Sequence, residues 1–186
     1  MKVLFIYPNH KGMNMLPPAI GLLSACLKRD GHTVQLFDTT HYNSVKIGEE
    51  VDDTDSDKSK SDRLMAKPYK NPKEITLKYS NVFEDFKNTV DTFSPDLLAL
   101  STTEDMFHLG LSLLKSLKGK RPLTIAGGVF PTFAPELVLS FDEIDIVCKG
   151  EGEVALSELC KRLELKKDFT DIPNIWTMKG GEVIKN

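Results

Sequence analysis

Apolar runs alternate with helix-like repeats along most of the chain. Residues 2–7 form a nearly unbroken apolar run, which is typical of a strand buried on both faces. The next segment opens on Pro17 and Pro18, which suit the first turn of a helix because proline lacks a backbone N–H. Its apolar residues recur at helical spacing until Gly31, a suitable C-cap, and a second strand is predicted at residues 32–38.

The second part of the chain repeats this alternation. A helix with apolar residues at helical spacing is predicted to end at Pro95. Beyond it, strands are predicted at residues 97–101, 123–126 and 144–148, and helices at residues 109–117, 135–139 and 154–163. Strands that alternate with helices are typical of a parallel sheet covered by helices on both faces. The simplest α/β architecture is a flavodoxin-like (Rossmann-type) doubly wound sheet of five parallel strands in the order 2-1-3-4-5.

One internal segment departs from the alternation. Residues 40–72 are polar and acidic, and we expect a flexible surface insertion because they offer little apolar surface to offset the entropy of ordering. Asp53, Asp55 and Asp57 resemble the start of a calcium loop. Lys58 stands where such a loop requires glycine, so no calcium site is expected.

The end of the chain has a different pattern. Residues 166–186 contain two short apolar runs around a Gly-Gly turn, which predicts a hairpin or an exit linker. The predicted division is therefore a domain at residues 1–165 followed by this linker. Trp176, the single tryptophan, is expected to pack within the hairpin, with an interdomain contact as the alternative.

Composition narrows the functional classes. A net charge of −3 without a basic stripe argues against nucleic-acid binding, and no apolar run approaches the ~20 residues that a membrane span requires. The first residues read as a strand rather than a signal peptide, so a cytoplasmic location is expected. Cys26, Cys148 and Cys160 lie far apart, which predicts buried thiols rather than a zinc or iron–sulphur site.

Candidate chemistry lies just after the predicted strands, where ligands bind in open α/β sheets. These positions are rich in glycine and hydroxyl groups and poor in acid–base pairs. Gly127 and Gly128 allow close approach of a ligand to the backbone, and residues 101–103 offer short polar groups. Each feature alone also fits a tight turn or a helix cap, but together, on adjacent strand ends, they predict a ligand slot.

Three segments carry a family resemblance. Residues 16–38 contain a Pro-Pro helix start followed by Gly-Leu, residues 125–132 a Gly-Gly-x-x-Pro-Thr turn, and residues 144–153 a Gly-Glu-Gly-Glu turn. Their order and spacing resemble the B12-binding (cobalamin-binding) N-terminal domain of cobalamin-dependent radical S-adenosylmethionine (SAM) enzymes. That family includes magnesium-protoporphyrin IX monomethyl ester oxidative cyclases, related Fe–S oxidoreductases and C-methyltransferases.

The resemblance implies a cofactor and a division of labour. Cobalamin would lie across the strand ends, with its dimethylbenzimidazole tail inserted beside Gly127–Gly128 and Ser101–Thr103. SAM and a [4Fe-4S] cluster would belong to a separate radical SAM barrel, in cis or in trans, and this domain alone would catalyse nothing. The implied cofactor-binding residues are Asn9, His10, Ser101, Thr102, Thr103, Gly127, Gly128, Val129, Pro131, Thr132, Gly150, Glu151 and Gly152. A side chain at Gly128 is expected to block the slot and leave the fold intact.

Two candidate roles are disfavoured: His10 as a cobalt ligand, and Glu151 with Glu153 as a catalytic pair. Classical B12 modules place Asp-x-His-x-x-Gly after the first strand, with the histidine on cobalt, whereas this chain has Pro8, His10 and Met13 at those positions. Cobalamin is therefore expected without a protein histidine on the metal. Glu151 and Glu153 begin a helix, where the positive end of the dipole favours acidic side chains, so helix capping is favoured over a catalytic pair.

Other functions of the same topology fit the sequence less well. A phospho-receiver domain needs acidic residues after strand 1, a flavodoxin needs a phosphate loop there, and a dinucleotide site needs GxGxxG. The remaining alternative is a non-catalytic interaction or docking domain with a degenerate cofactor slot. Retention of hydroxocobalamin separates that alternative from a cofactor carrier.

Overall fold

A computed structural model of the chain describes residues 1–11, 13–43, 76–119 and 121–186. All but residues 40–43 of the predicted acidic insertion lie outside the described residues. The aspartates that resemble a calcium loop lie outside them as well. The described residues form one layered α/β structure.

The described strands form a single seven-stranded sheet in the order β2-β1-β3-β4-β5-β6-β7. The strands are β1 (Lys2–Tyr7), β2 (Thr33–Asp38), β3 (Leu97–Ser101), β4 (Leu123–Gly127), β5 (Ile146–Cys148), β6 (Ile175–Lys179) and β7 (Glu182–Ile184). Strands β1 to β5 are parallel, which confirms the predicted doubly wound order. The sheet is larger than predicted, because β6 pairs antiparallel with β5 and β7 with β6.

Six helices cover the sheet within the described residues. They are α1 (Pro18–Arg29), α2 (Val82–Phe93), α3 (Glu104–Ser116), α4 (Val129–Phe133), α5 (Pro135–Leu139) and α6 (Glu153–Glu164). Helix α3 begins five residues earlier than predicted: Glu104 and Asp105 open an acidic first turn, and the buried Met106 and Phe107 lie in the part of the helix that the prediction omitted. Helix α4 was not predicted; Pro131 fits within it because the N–H groups of a first turn need no helical partner.

Apolar side chains pack on both faces of the sheet, as its unbroken apolar strands require. On one face, buried residues such as Leu100 of β3 lie with Phe86 of α2 and Phe107 of α3. On the other face, Phe5 of β1 lies with Leu27 of α1 and with buried residues of α6. Helices α1 and α6 therefore share one side of the sheet, and this side carries the candidate site.

Arg121 ties together the amino-terminal ends of β4 and β5, at the end of the strands opposite the candidate site. The Arg121 guanidinium donates to both carboxylate oxygens of Asp145, to the Asp142 carbonyl at 2.7 Å and to the Thr124 hydroxyl at 3.0 Å. Asp145 also accepts the Thr124 backbone N–H at 2.7 Å. Only 18% of the Arg121 side chain and 33% of the Asp145 side chain are exposed. Removal of the guanidinium therefore leaves partly buried acceptors without their donor.

We expect Arg121→Met to lower the free energy of unfolding by about 2 kcal/mol, because several acceptors lose a charged donor while the aliphatic bulk stays. Urea denaturation followed by circular dichroism measures the change. Arg29→Met is the control, since 69% of the Arg29 side chain is exposed and it pairs with the adjacent Asp30. Equal urea midpoints for the two variants would show that the Arg121 network does not stabilise the fold.

Candidate ligand-binding site

A cleft of about 110 Å³ opens at the carboxyl ends of β3, β4 and β5, between the sheet and helices α1 and α6. Its floor is the sheet, and its walls are the start of α1 and the turn between β5 and α6. The lining residues from the sheet include Phe5, Ala99, Ser101, Ile125, Gly127, Gly128 and Cys148, and those from the helices and turn include Ala19, Leu23, Gly150, Glu151, Gly152, Glu153 and Leu156.

The cleft exists because side chains become small toward the ends of two strands. Alternate residues of a strand face the same side of the sheet. On the α1–α6 side, β3 presents Leu97, then Ala99, then Ser101, while β4 presents Ile125 and then Gly127. Ser101 and Gly127 are register partners, so two small residues lie side by side at the strand ends. The volume that larger side chains would fill is therefore open.

The two adjacent glycines do different things. A Cβ atom at Gly127 would lie 3.8 Å from the Cys148 Cβ, an ordinary contact, so the backbone tolerates a side chain that would point into the cleft. Gly128 has φ +106°, and a Cβ there would lie 2.7 Å from the Thr102 carbonyl oxygen. The expectation that a side chain at Gly128 leaves the fold intact is therefore wrong. Gly128 serves the close approach of two turns, and Gly127 leaves the cleft open.

Thr132 joins two of the turns that border the cleft. Its hydroxyl donates to the Gly128 carbonyl at 2.8 Å and accepts the Gly150 N–H at 3.1 Å. One hydroxyl group thus uses both its donor and an acceptor position to fix the β4–α4 turn against the β5–α6 turn. The predicted contact residue Thr132 is placed here as a brace between the turns.

The β5–α6 turn closes one side of the cleft. Gly152 is the N-cap of α6, and Glu153 lies in the first turn, where the helix dipole favours a carboxylate. Cys148 precedes the turn, and burial, followed by the charges of Glu153 and Glu151, raises its pKa to about 11. The Cys148 thiol is therefore protonated and uncharged near neutral pH.

The structure places only part of the predicted site at the cleft. Six predicted residues line it: Ser101, Gly127, Gly128, Gly150, Glu151 and Gly152. Thr102 and Pro131 are buried away from it, Thr103 bonds to Asp105, and Val129 is exposed at the start of α4.

The loop after β1 also lies away from the cleft lining. Asn9 is fully buried, and its side-chain amide donates to the Asn14 carbonyl at 2.7 Å and to the Thr40 hydroxyl at 3.0 Å. Its Oδ1 accepts the Asn14 N–H at 3.2 Å. His10 is 2% exposed. In this conformation Asn9 orders the loop, and the His10 ring is not presented at the surface.

The ends of β1 and β3 are bridged beside the cleft. The Asn14 amide donates to Asp105 at 3.3 Å, which ties the β1–α1 loop to the start of α3. Asp105 also accepts the Thr103 hydroxyl, which is the main reason that the pKa of Asp105 lies below its usual value. The open cleft lies beside this bridge, over β3 to β5.

Sequence reasoning missed the helix side of the cleft. Ala19 and Leu23 of α1 and Leu156 of α6 line it, as does Ala99 of β3. One feature of the sequence could have indicated this wall of the cleft. Residues 12–27, which include the loop before α1 and most of α1, contain no charged residue. Exposed apolar side chains also surround this end of the molecule, from the β1–α1 loop and from the starts of α4 and α6: Met13, Met15, Leu16, Val129 and Val154.

Three further features concern the residues that the structure describes. Across the residues that the structure describes, no three His, Cys, Asp or Glu side chains are grouped as a metal site. The same residues include no helix with the length and apolar character needed to cross a bilayer. Cys26, Cys148 and Cys160 are free thiols.

Curated proteins with similar sequences are methyltransferases. The uncharacterized methyltransferase PH0819 of Pyrococcus horikoshii is 27% identical over 104 residues, which cover 54% of this chain and 23% of that protein. The cobalamin-dependent radical SAM methyltransferase TokK of Streptomyces tokunonensis is 34% identical over 97 residues, which cover 48% of this chain and 14% of TokK. The chain thus matches less than a quarter of the length of either relative.

Solved structures share the fold. The radical SAM methyltransferase TsrM of Kitasatospora setae, with cobalamin and a [4Fe-4S] cluster bound, superposes with a TM-score of 0.66 at 16% identity, covering 99% of this chain and 28% of TsrM. The cobalamin-dependent radical enzyme OxsB, with aqua-cobalamin and SAM bound, gives 0.62 at 19% identity, covering all of this chain and 22% of OxsB.

The family assignment comes from the sequence itself. The sequence model of the B12 binding domain matches residues 10–160, most of the chain. Of the residues that line the cleft, all but Phe5 fall within that span. This chain belongs to the B12-binding domain family.

Proposed function

We propose that the chain holds cobalamin at the carboxyl ends of its parallel strands, with the nucleotide tail of the cofactor inserted in the cleft between the sheet and helices α1 and α6. The observation that carries this proposal is the open space above Gly127 in a member of the B12-binding family. A flat, largely apolar base fits a slot whose floor lacks side-chain bulk. When bound, cobalamin supplies a reactive cobalt centre for methyl transfer or radical chemistry.

The residues divide into those that would contact the tail and those that would shape the slot. Ala99 and Gly127 would meet the face of the base, and the Ser101 hydroxyl is a polar group on the same wall. Backbone groups of the β5–α6 turn would face the amide groups of the corrin ring at the opening of the cleft. Thr132 would hold the turns at the right separation.

The cobalt would carry no histidine from this chain. His10, which occupies the loop of the classical ligand, is 2% exposed and therefore lies below the surface that would meet the corrin ring. Pro8 and Met13 replace the two other residues of the classical motif. Since a supporting carboxylate orients a ligating histidine, its absence weakens that role further.

We further propose that the domain serves a cobalamin-dependent radical SAM methyltransferase, with the radical SAM barrel in cis or in trans. TokK is one such enzyme and TsrM is a radical SAM methyltransferase, which favours methyl transfer over oxidative cyclisation. A cytoplasmic location fits the three free thiols. A docking domain with a degenerate slot is disfavoured, because the cleft is open where Gly127 lies.

We expect the 186-residue chain to retain hydroxocobalamin after desalting, with the absorbance bands of the corrin. Gly127→Leu should lose this retention, with affinity at least about tenfold lower, since the side chain fills the slot while the backbone tolerates it. Equilibrium dialysis measures the affinity, and circular dichroism checks the fold.

Gly21→Leu is the matched control for this substitution. It adds the same side chain on the outer face of α1, where a Cβ meets nothing within 4 Å. The control should bind as the wild type does. A colourless wild-type protein would contradict the carrier function, and unimpaired binding by Gly127→Leu would place the cofactor elsewhere.

Thr132→Val should weaken cobalamin binding about tenfold, because the brace between the two turns loses both hydrogen bonds while the side-chain volume is kept. Thr132→Ser keeps the hydroxyl and should bind within about threefold of wild type. Dialysis on both variants measures the difference. Equal affinities for the valine and serine variants would show that the brace does not shape the slot.

Electron paramagnetic resonance of the protein loaded with cob(II)alamin tests the histidine assignment. An axial nitrogen ligand splits the cobalt signal into triplets. We expect no such splitting, and no difference between wild type and His10→Ala. Triplet splitting that disappears in His10→Ala would establish histidine ligation.

A further inference from the structure

The tail of the chain reaches back to the cofactor cleft through Asn174. This residue lies between α6 and β6 in a left-handed backbone conformation, with φ +67°. The neighbouring Ile172 and Ile175 are almost completely buried, which anchors the segment to the α1–α6 side of the core. The position of Asn174 is therefore fixed from both directions along the chain.

Asn174 makes two hydrogen bonds to the turn between β5 and α6. Its side-chain amide donates to the Glu151 carbonyl at 3.0 Å, and its own carbonyl accepts the Lys149 N–H at 2.8 Å. The Glu151 carbonyl also lies 3.8 Å from the Cys148 sulphur, so the amide and the thiol converge on the same oxygen. The turn is thus held from outside by Asn174 and from the cleft side by Cys148.

The other face of the same turn is held by Thr132. Gly150, at φ +89°, donates its N–H to the Thr132 hydroxyl. Asn174 and Thr132 therefore brace adjacent peptide units of one turn from different elements. Because Gly150 and Gly152 give this turn little intrinsic stiffness, its position depends on these outside contacts.

We propose that Asn174 is a positioning residue for the cofactor cleft: it fixes the β5–α6 turn and so sets how wide the cleft opens. Asn174 lies beyond residues 10–160, the span that matches the B12-binding family, and in the segment predicted to be a hairpin or an exit linker. The β6–β7 hairpin is thereby coupled to the wall of the cofactor site. The role in cofactor binding rests on the proposed function, whereas the role in holding the turn does not.

The holding role is tested without cofactor by the reactivity of Cys148. Cys26→Ser removes the partly exposed thiol, which leaves Cys148 and Cys160, residues that are 6% and 0% exposed. We expect Asn174→Gly, which keeps the backbone conformation accessible but removes the amide, to speed maleimide labelling of Cys148 about tenfold. Peptide mass mapping measures each cysteine separately.

Cys160 distinguishes local opening from general destabilisation. It lies within α6, so global unfolding exposes both thiols, whereas movement of the turn exposes Cys148 alone. Lys166→Gly is the matched control, since Lys166 has a similar φ of +51° but lies at the far end of α6. Unchanged Cys148 labelling in Asn174→Gly, or equal acceleration at Cys148 and Cys160, would overturn the proposal.

The effect on the cofactor is measured on the same proteins. Asn174→Gly and Asn174→Asp, which keeps the size but not the amide donor, should each weaken cobalamin binding about tenfold, while Lys166→Gly binds normally. Faster Cys148 labelling with unchanged affinity would overturn the role in setting the cleft. A wild type that does not retain cobalamin would refute the proposed function, while the labelling experiment still decides whether Asn174 holds the turn.

Discussion

Close backbone packing at the ends of β3 and β4 is the constraint on which the site depends. The turn after β4 passes so near the turn after β3 that no Cβ fits at Gly128, where Thr102 O would lie 2.7 Å away. That contact fixes the strand ends side by side, and the small residues Ser101 and Gly127 then leave the floor of the cleft bare. Helices α1 and α6 cover this gap without filling it, and Ala19, Leu23 and Leu156 form its wall on the helix side.

The turns around the cleft are stabilised by contacts between elements rather than within them. Thr132 connects the β4–α4 turn to the β5–α6 turn, and Asn174 connects the latter to the tail. Each of these side chains holds the β5–α6 turn through one hydrogen bond of ordinary strength, yet that turn contains Gly150 and Gly152 and has little stiffness of its own. Small changes at these two side chains are therefore expected to change the shape of the cleft more than the stability of the fold.

Much of the fold could be predicted from the sequence, because unbroken apolar runs and helical repeats directly reflect burial on both faces of a sheet. The five parallel strands and their order follow from that pattern. The pairing of β6 with β5 could not be predicted. The sequence pattern of β6 and β7 indicates a hairpin, but it does not indicate which strand of the sheet the hairpin joins. Helix α4 was missed because Pro131 and two preceding glycines indicate a turn.

The sequence predicted a ligand slot after the strands, but not the separate roles of the residues that form it. Glycines and hydroxyls after the strands indicated a slot, yet sequence alone cannot show that Gly127 borders open space while Gly128 borders another backbone. Nor could it show that Asn14 bridges to Asp105 beside the cleft. A crystal structure of the chain with cobalamin would show directly whether the cleft holds the nucleotide tail. We expect the dimethylbenzimidazole base in van der Waals contact with Gly127 and Ser101. A base folded onto the cobalt, outside the cleft, would contradict the proposed binding mode.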